Sequence, residues 1–180
     1  CSIAQISIEN NWTRPEFNDD GIIEIIDGRH PIVEALNDEF VPNSLFLDNE
    51  NNAIILTGPN MSGKSTYLRQ NAIIILLSHC GFFVPAKKVN IHIVDRIFSR
   101  VGASDDISSG VSTFMAEMIE TAYILNNSTE KSFIILDEVG KGTSTYDGIA
   151  IARAIIEYIQ NYIKAKTLFA THYYELTKLE

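Results

Sequence analysis

Three continuous apolar runs of strand length constrain the fold of this chain most strongly. They are AIILT at 53–57, SFIILD at 132–137 and KTLFAT at 166–171. A strand that is apolar on both faces needs cover on both faces, which is typical of a parallel sheet flanked by helices. Segments of helical pattern alternate with the runs, at 64–79, 113–126 and 147–164. The sequence therefore predicts an α/β fold with a mainly parallel central sheet.

The helical segments and the remaining short elements follow from periodicity and turn residues. In 113–126, one predicted helical face carries Met115, Met118, Ile119, Ala122 and Leu125. In 147–164, the apolar positions Ile149, Ala152, Ile156, Ile159 and Ile163 recur behind Asp147, the predicted N-cap. Residues 1–10 resemble the end of a helix closed by Asn10 and Asn11. The segments GIIEIIDG and FVPNSLFLD predict short strands, which we expect to form a small antiparallel β subdomain.

Composition narrows the class of protein. A chain of 180 residues that is 46% hydrophobic suits one core, and no apolar stretch approaches the roughly 18 residues of a membrane span. The first residues lack a basic region and an initiator Met, so we expect a piece of a longer protein. The cysteines, Cys1 and Cys80, make no disulfide framework and suit a reducing cytosol. A net charge of −9 argues against a sequence-independent DNA-binding surface within this segment.

A glycine-rich bend, TGPNMSGKST at 57–66, follows the first apolar run and precedes a helix. Residues 58–65 fit G-x-x-x-x-G-K-[ST] in the strand–loop–helix context that a phosphate-binding P-loop requires. Main-chain N–H groups at a helix N-terminus converge on an anion, and the glycines let the backbone approach it. Lys64 is then predicted to reach the β- and γ-phosphates, and the Ser65 hydroxyl to bind Mg²⁺.

Acidic and imidazole side chains end the other two apolar runs. Asp137 and Glu138 follow the second run, where Asp137 is predicted to hold the Mg²⁺ shell and Glu138 to act as general base for water. His172 follows the third run at the predicted carboxyl edge of the sheet, where such folds bind ligands, and is a candidate γ-phosphate sensor. Because kinases with a P-loop usually lack the second carboxylate, the pair favours a hydrolase. No metal-ligand spacing surrounds His30, His79 or His92.

A Ser/Gly-rich segment, 99–112, opens the helix that begins near Thr113. It is either a second anion-binding helix start at Ser112 or an ordinary structural cap, since Ser and Thr cap helices for structural reasons alone.

Taken together, these residues resemble the MutS family of DNA mismatch repair ATPases. The matching pieces, in order from about Gly28-Arg29-His30-Pro31, are TGPNMSGKSTYLRQ, GFFVPA, DRIFSRVGASDDISSG with STFMAEM, LDEVGKGTSTYDG and ATHYYEL. The resemblance implies a P-loop, ABC-type ATPase domain at 21–180 that is truncated at its C-terminus, with the end of a preceding clamp or core helical domain and a linker at 1–20. It also implies ATP/ADP and Mg²⁺ as ligands and a DNA-dependent activity.

By position, the resemblance assigns a role to each site residue. Walker A comprises Gly58, Pro59, Asn60, Met61, Ser62, Gly63, Lys64, Ser65 and Thr66, with Asn60 as a γ-phosphate contact. Walker B is Asp137 and Glu138, and His172 is the switch histidine. Phe40 is expected to stack on adenine, with a plain core Phe as the alternative. Ser112 is expected to reach the partner's ATP in trans, and 142–145 to form the D-loop.

The resemblance further implies a homodimer through this domain, expected to be weak for residues 1–180 alone. It also implies contact of the whole protein with mismatched DNA through preceding domains and with a MutL-type repair factor. Lys141 and Val111 stand where many members have Arg, which leaves inter-subunit contacts of those side chains open. The alternatives are the ABC-type ATPase of a MutS-like paralogue or of a chromosome-organising protein, although no LSGGQ string occurs, and a nucleotide-gated dimerisation module that does not hydrolyse.

Overall fold

The computed structural model describes residues 2–37, 39–102 and 113–178. The chain forms two compact units, Cys1–Asn51 with Thr66–Ile97, and Asn52–Ser65 with Phe98–Glu180. Across the described ranges, no helix is both long and apolar enough to cross a membrane.

Helices and strands alternate along most of the chain. The helices are α1 Ser2–Glu9, α2 Pro31–Leu36, α3 Lys64–His79, α4 Thr113–Asn127 and α5 Thr145–Tyr158. The strands are β1 Glu16–Asn18, β2 Ile23–Gly28, β3 Asn43–Leu47, β4 Ala53–Thr57, β5 Lys88–His92, β6 Ile97–Arg100, β7 Phe133–Asp137 and β8 Lys166–Thr171. A π-helical turn, Ile159–Ile163, extends α5, and a 3₁₀ turn, Tyr174–Lys178, follows β8.

The first unit contains a four-stranded sheet in the order β1-β5-β2-β3. Strand β2 is antiparallel to both neighbours, with Ile23 opposite Leu47 on one side and Ile91 on the other, and all three side chains are fully buried. Strand β1 runs parallel to β5. The sheet is therefore mixed, which corrects the prediction of a purely antiparallel β subdomain. Strands β1 and β5 were not predicted from the sequence.

Two of the histidines in the first unit have structural hydrogen bonds. His30 caps α2, because its Nδ1 accepts the Val33 N–H at 3.4 Å, and burial lowers its pKa. His79 accepts the Val94 N–H on Nε2 at 2.9 Å, and its Nδ1 lies 2.8 Å from the Ile75 carbonyl oxygen. Both side chains therefore hold local backbone in place.

The second unit is built on a sheet in the order β4-β8-β7-β6. Strand β8 is parallel to both β4 and β7, with Phe169 opposite Ile55 and Leu136. Every residue of β8 is buried, as the continuous apolar run predicts. The mainly parallel sheet and the positions of β4, β7 and β8 are therefore confirmed. Strand β6 was not predicted.

The second unit corrects the prediction for the buried face of α4. Met115 and Ile119 are 54% and 59% exposed, and Ala122 is exposed as well. The buried positions of this helix are Glu117, Thr121 and Ile124, with Met118 and Leu125 partly buried against the core. The helix is thus rotated relative to the predicted apolar stripe, and a carboxylate faces inward.

The start of α5 also differs from the prediction. Ser144, and not Asp147, is the N-cap, because its Oγ accepts the Asp147 N–H at 3.3 Å. The Ser144 hydroxyl donates in turn to Asp147 Oδ2 at 2.7 Å. Asp147 therefore lies in the first turn, where a carboxylate is favourable next to free N–H groups.

Candidate functional site

The carboxyl edge of the parallel sheet brings together the ends of three strands. Strand β8 lies between β4 and β7, so the loop after β4, Glu138 after β7 and His172 after β8 all leave the same edge of one sheet. The Glu138 N–H donates to the Ala170 carbonyl oxygen at 2.9 Å, which extends the pairing of β7 and β8 to this point. The predicted convergence of these residues at the sheet edge is confirmed.

The loop between β4 and α3 is an exposed main-chain bend. Gly63 has φ +92°, a left-handed conformation that side chains disfavour, and a Cβ there would project into open space. Met61 adopts φ +63° with a fully exposed side chain. The Lys64 ammonium donates to the carbonyl oxygens of Gly58 and Pro59, each at 2.8 Å. A cation is thus held directly against the loop, at the N-terminus of a 16-residue helix.

Ser65 and Asp137 join the loop to the end of β7. The Ser65 hydroxyl donates to Asp137 Oδ2 at 2.5 Å. The second carboxylate oxygen, Oδ1, is buried and has no hydrogen-bond partner within the described part of the chain. A buried carboxylate oxygen without a partner is costly unless a cation or water satisfies it. A hydroxyl and a carboxylate are hard oxygen ligands of the type that Mg²⁺ prefers, and Mg²⁺ usually keeps several waters. The residues therefore fit a magnesium ion.

Glu138 has two ionic neighbours at the edge of the sheet. Its Oε1 contacts His172 Nε2, and its Oε2 accepts from the Lys141 ammonium at 2.6 Å. Burial disfavours ionisation of Glu138, but the hydrogen bonds and charges of Lys141 and His172 outweigh it and lower the pKa of the carboxyl group. The Glu138 backbone has φ +55°, a strained conformation for a residue with a side chain. The carboxylate is therefore ionised and held in a fixed orientation.

A cavity of about 220 Å³ opens beside Glu138. Its wall is formed by Lys141, His172 and the three threonines at 143, 145 and 171, together with Glu138 and Tyr173. The cavity is large enough for several water molecules next to the candidate base.

The other predicted site residues are distributed as follows. Pro59, Asn60 and Ser62 are exposed in the loop, and Thr66 lies in the first turn of α3. Phe40 belongs to the first unit, where it is half-buried and its N–H donates to the Asn37 carbonyl oxygen at 3.1 Å. Ser112 and Val111 lie outside the described residues, so their predicted roles stay predictions.

Comparison with known proteins gives a family match over most of the chain. Residues 54–180 match the family model described as MutS domain V.

The chain belongs to the MutS family.

Relatives named DNA mismatch repair protein MutS cover essentially the whole chain. The protein from Acetivibrio thermocellus is 60% identical over 183 residues, which is 100% of this chain and 21% of that protein. Those from Thermodesulfovibrio yellowstonii and Halothermothrix orenii are 60% and 62% identical, over 99% of this chain and 22% and 20% of their own lengths. The chain thus spans about a fifth of the length of these MutS relatives.

The structure of this MutS-family chain also reveals neighbours of Glu138 that the sequence reasoning missed. Lys141 is an intrachain partner of Glu138, whereas only an inter-subunit role was weighed for it. Glu117 and Tyr173 hydrogen-bond to Gly140, two residues beyond Glu138. A sequence signal for Glu117 was available, because it lies four residues before Thr121 and seven before Ile124, which places the three residues on one face of the helix. All three are buried in the structure.

Proposed function

We propose that this chain is an ABC-type ATPase domain with a P-loop NTPase fold, which binds Mg²⁺–ATP and hydrolyses it. The observation that carries the proposal is the hydrogen bond of 2.5 Å between Ser65, at the end of the glycine-rich loop, and Asp137, at the end of β7. This contact supports a joint role for the two residues at one magnesium ion beside a phosphate chain.

The loop would bind the phosphates of ATP or ADP. The main-chain groups from Gly58 to Thr66, except that of Pro59, supply N–H donors near a helix N-terminus, where an anion is favoured. The Lys64 ammonium makes its described hydrogen bonds only to loop carbonyls, so it can turn to phosphate oxygens without breaking an ion pair. Asn60, exposed at the tip, is the proposed γ-phosphate contact. Phe40 is the proposed adenine contact.

Ser65 and Asp137 would hold the magnesium ion, with Asp137 Oδ1 available for it or for one of its waters. A magnesium ion at this place supplies positive charge that stabilises the phosphate oxygens. Ser65 and Asp137 would leave the remaining positions around the ion to water, as is usual for magnesium in proteins.

Glu138 would act as the general base. Its ionised carboxylate can accept a proton from a water molecule, and the cavity beside it has room for that water. His172 contacts Oε1 and so orients the carboxylate, and from the central strand β8 it is the proposed sensor of the γ-phosphate. Lys141 donates a hydrogen bond to Oε2. When Glu138 takes the proton, this hydrogen bond would have to break or Oε2 would have to accept both.

The wider role follows from membership in the MutS family and is proposed on that basis. Two copies of the domain would form a dimer with composite nucleotide sites, in which Ser112 serves the partner's ATP. ATP binding and hydrolysis would switch a DNA clamp in mismatch repair in the bacterial cytosol. Mismatched DNA would be bound outside residues 21–180, and a MutL-type factor would act downstream.

The test is nucleotide binding, measured by isothermal titration calorimetry with ATP at millimolar magnesium. The chain is expected to bind, and Lys64→Ala to weaken binding by at least about tenfold, since hydrogen bonds to charged groups contribute roughly 1.5–3 kcal/mol. Lys131→Ala, which removes an exposed lysine from a turn, is the matched control and should bind like the wild type. Absence of heat from a folded wild-type protein would refute the proposal.

A further inference from the structure

The backbone of Gly140 is held by side chains at both its N–H and its carbonyl group. The buried Gly140 N–H donates to Glu117 Oε1 at 2.5 Å, and the Gly140 carbonyl oxygen accepts from the Tyr173 hydroxyl at 3.1 Å. Glu117 belongs to α4 and is only 7% exposed, whereas Tyr173 follows the catalytic candidate His172. Three separate segments therefore meet at one residue, Gly140, two positions beyond Glu138.

The same turn is tightly packed. Gly140 has φ +89°, and a Cβ at this position would lie 2.8 Å from the Gly148 carbonyl oxygen. A Cβ at Gly148 would lie 2.2 Å from the Tyr173 hydroxyl oxygen. Since neither glycine tolerates a side chain, the turn from Glu138 to Gly140 is pressed against the start of α5 and has little freedom to shift.

Glu138 depends on this turn for its orientation. Its left-handed backbone, φ +55°, is strained, and such a conformation persists only where the surroundings enforce it. The strand pairing holds Glu138 through its own N–H to Ala170, and the contacts to Gly140 hold the other end of the turn. Together these contacts direct the carboxylate towards His172.

We propose that Glu117 is a positioning residue for Glu138: its carboxylate fixes the Gly140 peptide and thereby keeps the proposed base directed at His172. This inference deepens the proposed ATPase function and rests on it. A hydrogen bond to a charged acceptor is strong, and its loss would leave a buried N–H without a partner. Tyr173 supports the same residue through the Gly140 carbonyl oxygen, with a neutral, longer hydrogen bond.

The location of the contact predicts which kinetic constant changes. Glu117 touches neither the glycine-rich loop nor Ser65 among the described contacts, so nucleotide binding should persist without it. A misdirected Glu138 lowers the rate of the chemical step. Loss of Glu117 is therefore expected to lower kcat with little change in KM for Mg²⁺–ATP.

The first measurement is independent of ATP. Hydrogen exchange of the Gly140 amide, followed by mass spectrometry or NMR in the full-length protein without nucleotide, reports the contact directly. Glu117→Ala is expected to speed this exchange by at least about tenfold, whereas Glu117→Gln, whose amide oxygen can still accept, should stay within about threefold of the wild type. Unchanged exchange in a folded Glu117→Ala variant would overturn the proposal.

The second measurement is steady-state phosphate release by the same variants, with Glu130→Ala as matched control, since Glu130 is an exposed carboxylate in the turn after α4. Glu117→Ala should lose at least about tenfold in kcat with KM within about twofold, and Glu117→Gln should recover most of the kcat. If Glu117→Ala does not fold, Glu117→Asp, which withdraws the carboxylate by one methylene, takes its place with the same expectation.

The outcomes separate the inference from the function on which it rests. Wild-type and Glu130→Ala proteins that release no phosphate contradict the ATPase function, and the inference falls with it. A wild type that hydrolyses ATP, alongside a folded Glu117→Ala or Glu117→Asp variant with kcat unchanged or with KM shifted as much as kcat, contradicts the positioning role alone.

Discussion

Ser65 and Asp137, separated by 72 positions in the sequence, share a hydrogen bond of 2.5 Å that joins the glycine-rich loop to the end of β7. The contact leaves Asp137 Oδ1 buried and unpartnered within the described residues. A cation bound here could take the place of the Ser65 hydroxyl as the partner of Asp137 Oδ2, or become the partner of Oδ1. The pair therefore predicts a specific dependence on magnesium.

Asp137→Asn is expected to remove the enhancement of nucleotide affinity by Mg²⁺. The amide keeps the shape of the side chain but has neither the charge nor the second oxygen, and loss of such a group typically costs about 10–100-fold in metal affinity. Titration of a fluorescent ATP analogue with magnesium and with a chelator measures the effect. Asp20→Asn, in an exposed turn of the other unit, is the control. Equal magnesium dependence in Asp137→Asn and wild type would contradict the assignment.

Glu138→Gln is expected to preserve ATP binding and to reduce turnover by about 10²–10⁴-fold, the usual contribution of a general base. The amide can still accept a hydrogen bond but cannot take a proton at neutral pH. Single-turnover hydrolysis measures the chemical step separately from product release. Glu157→Gln, which changes a partly exposed carboxylate paired with Arg153 on α5, is the matched control. Wild-type turnover in Glu138→Gln would remove Glu138 from the mechanism.

Lys141→Ala is expected to raise the pKa of Glu138. Burial favours the neutral form of Glu138. The hydrogen bonds and charges of Lys141 and His172 outweigh burial and lower the pKa of Glu138 below the ordinary value of 4.5, and the hydrogen bond from Lys141 is the largest of these contributions. Because the folded-state pKa is lower than the unfolded one, ionised Glu138 stabilises the fold above about pH 4.5, and this contribution is lost as the pH falls through the folded-state pKa. Without Lys141, the contribution should be smaller, and its loss on acidification should be complete at a higher pH.

The carboxyl ¹³C shift of Glu138, followed by NMR during an acid titration, measures this pKa directly. Lys131→Ala, which removes an exposed lysine at the other end of β7 from Glu138, should leave the titration of Glu138 unchanged. A midpoint in Lys141→Ala that is equal to or lower than the wild-type midpoint would show that Lys141 does not govern the ionisation of this carboxylate.

The sequence was sufficient to predict the sheet edge because its signals there are local. Apolar runs define β4, β7 and β8, and a bend with two glycines and a lysine defines the start of α3. Once the strands are parallel, their polar ends must meet at one edge, so Asp137, Glu138 and His172 converge by topology. The positions of the three strands are confirmed, and these residues do lie at one edge of the sheet, whereas their roles stay predictions.

The missed elements depend on partners distant in the chain. Strand β5 contains Lys88, Asn90 and His92, so its polarity does not mark it as a strand, yet it pairs with β2 over 60 residues away. Strand propensity depends on such neighbours more than on the residues themselves. The contact of Glu117 with Gly140, 23 residues away, was missed for the same reason. Lys141 is only three residues from Glu138, and the conformation of the turn brings their side chains together.

The rotation of α4 provides a matched pair of isoleucines that tests the corrected packing. Ile124 is 4% exposed and belongs to the core cluster of the second unit, whereas Ile119, on the same helix, is 59% exposed. Ile124→Ala deletes buried methyl groups and leaves a cavity, so it should lower the free energy of unfolding by about 2–5 kcal/mol. Ile119→Ala removes little buried surface and should change it by less than about 0.5 kcal/mol. Both variants change the helix propensity of the site equally, so the difference isolates burial.

Urea unfolding followed by circular dichroism measures both values. Equal losses, or a larger loss for Ile119→Ala, would restore the face predicted from the apolar stripe and with it move Glu117 out of the interior.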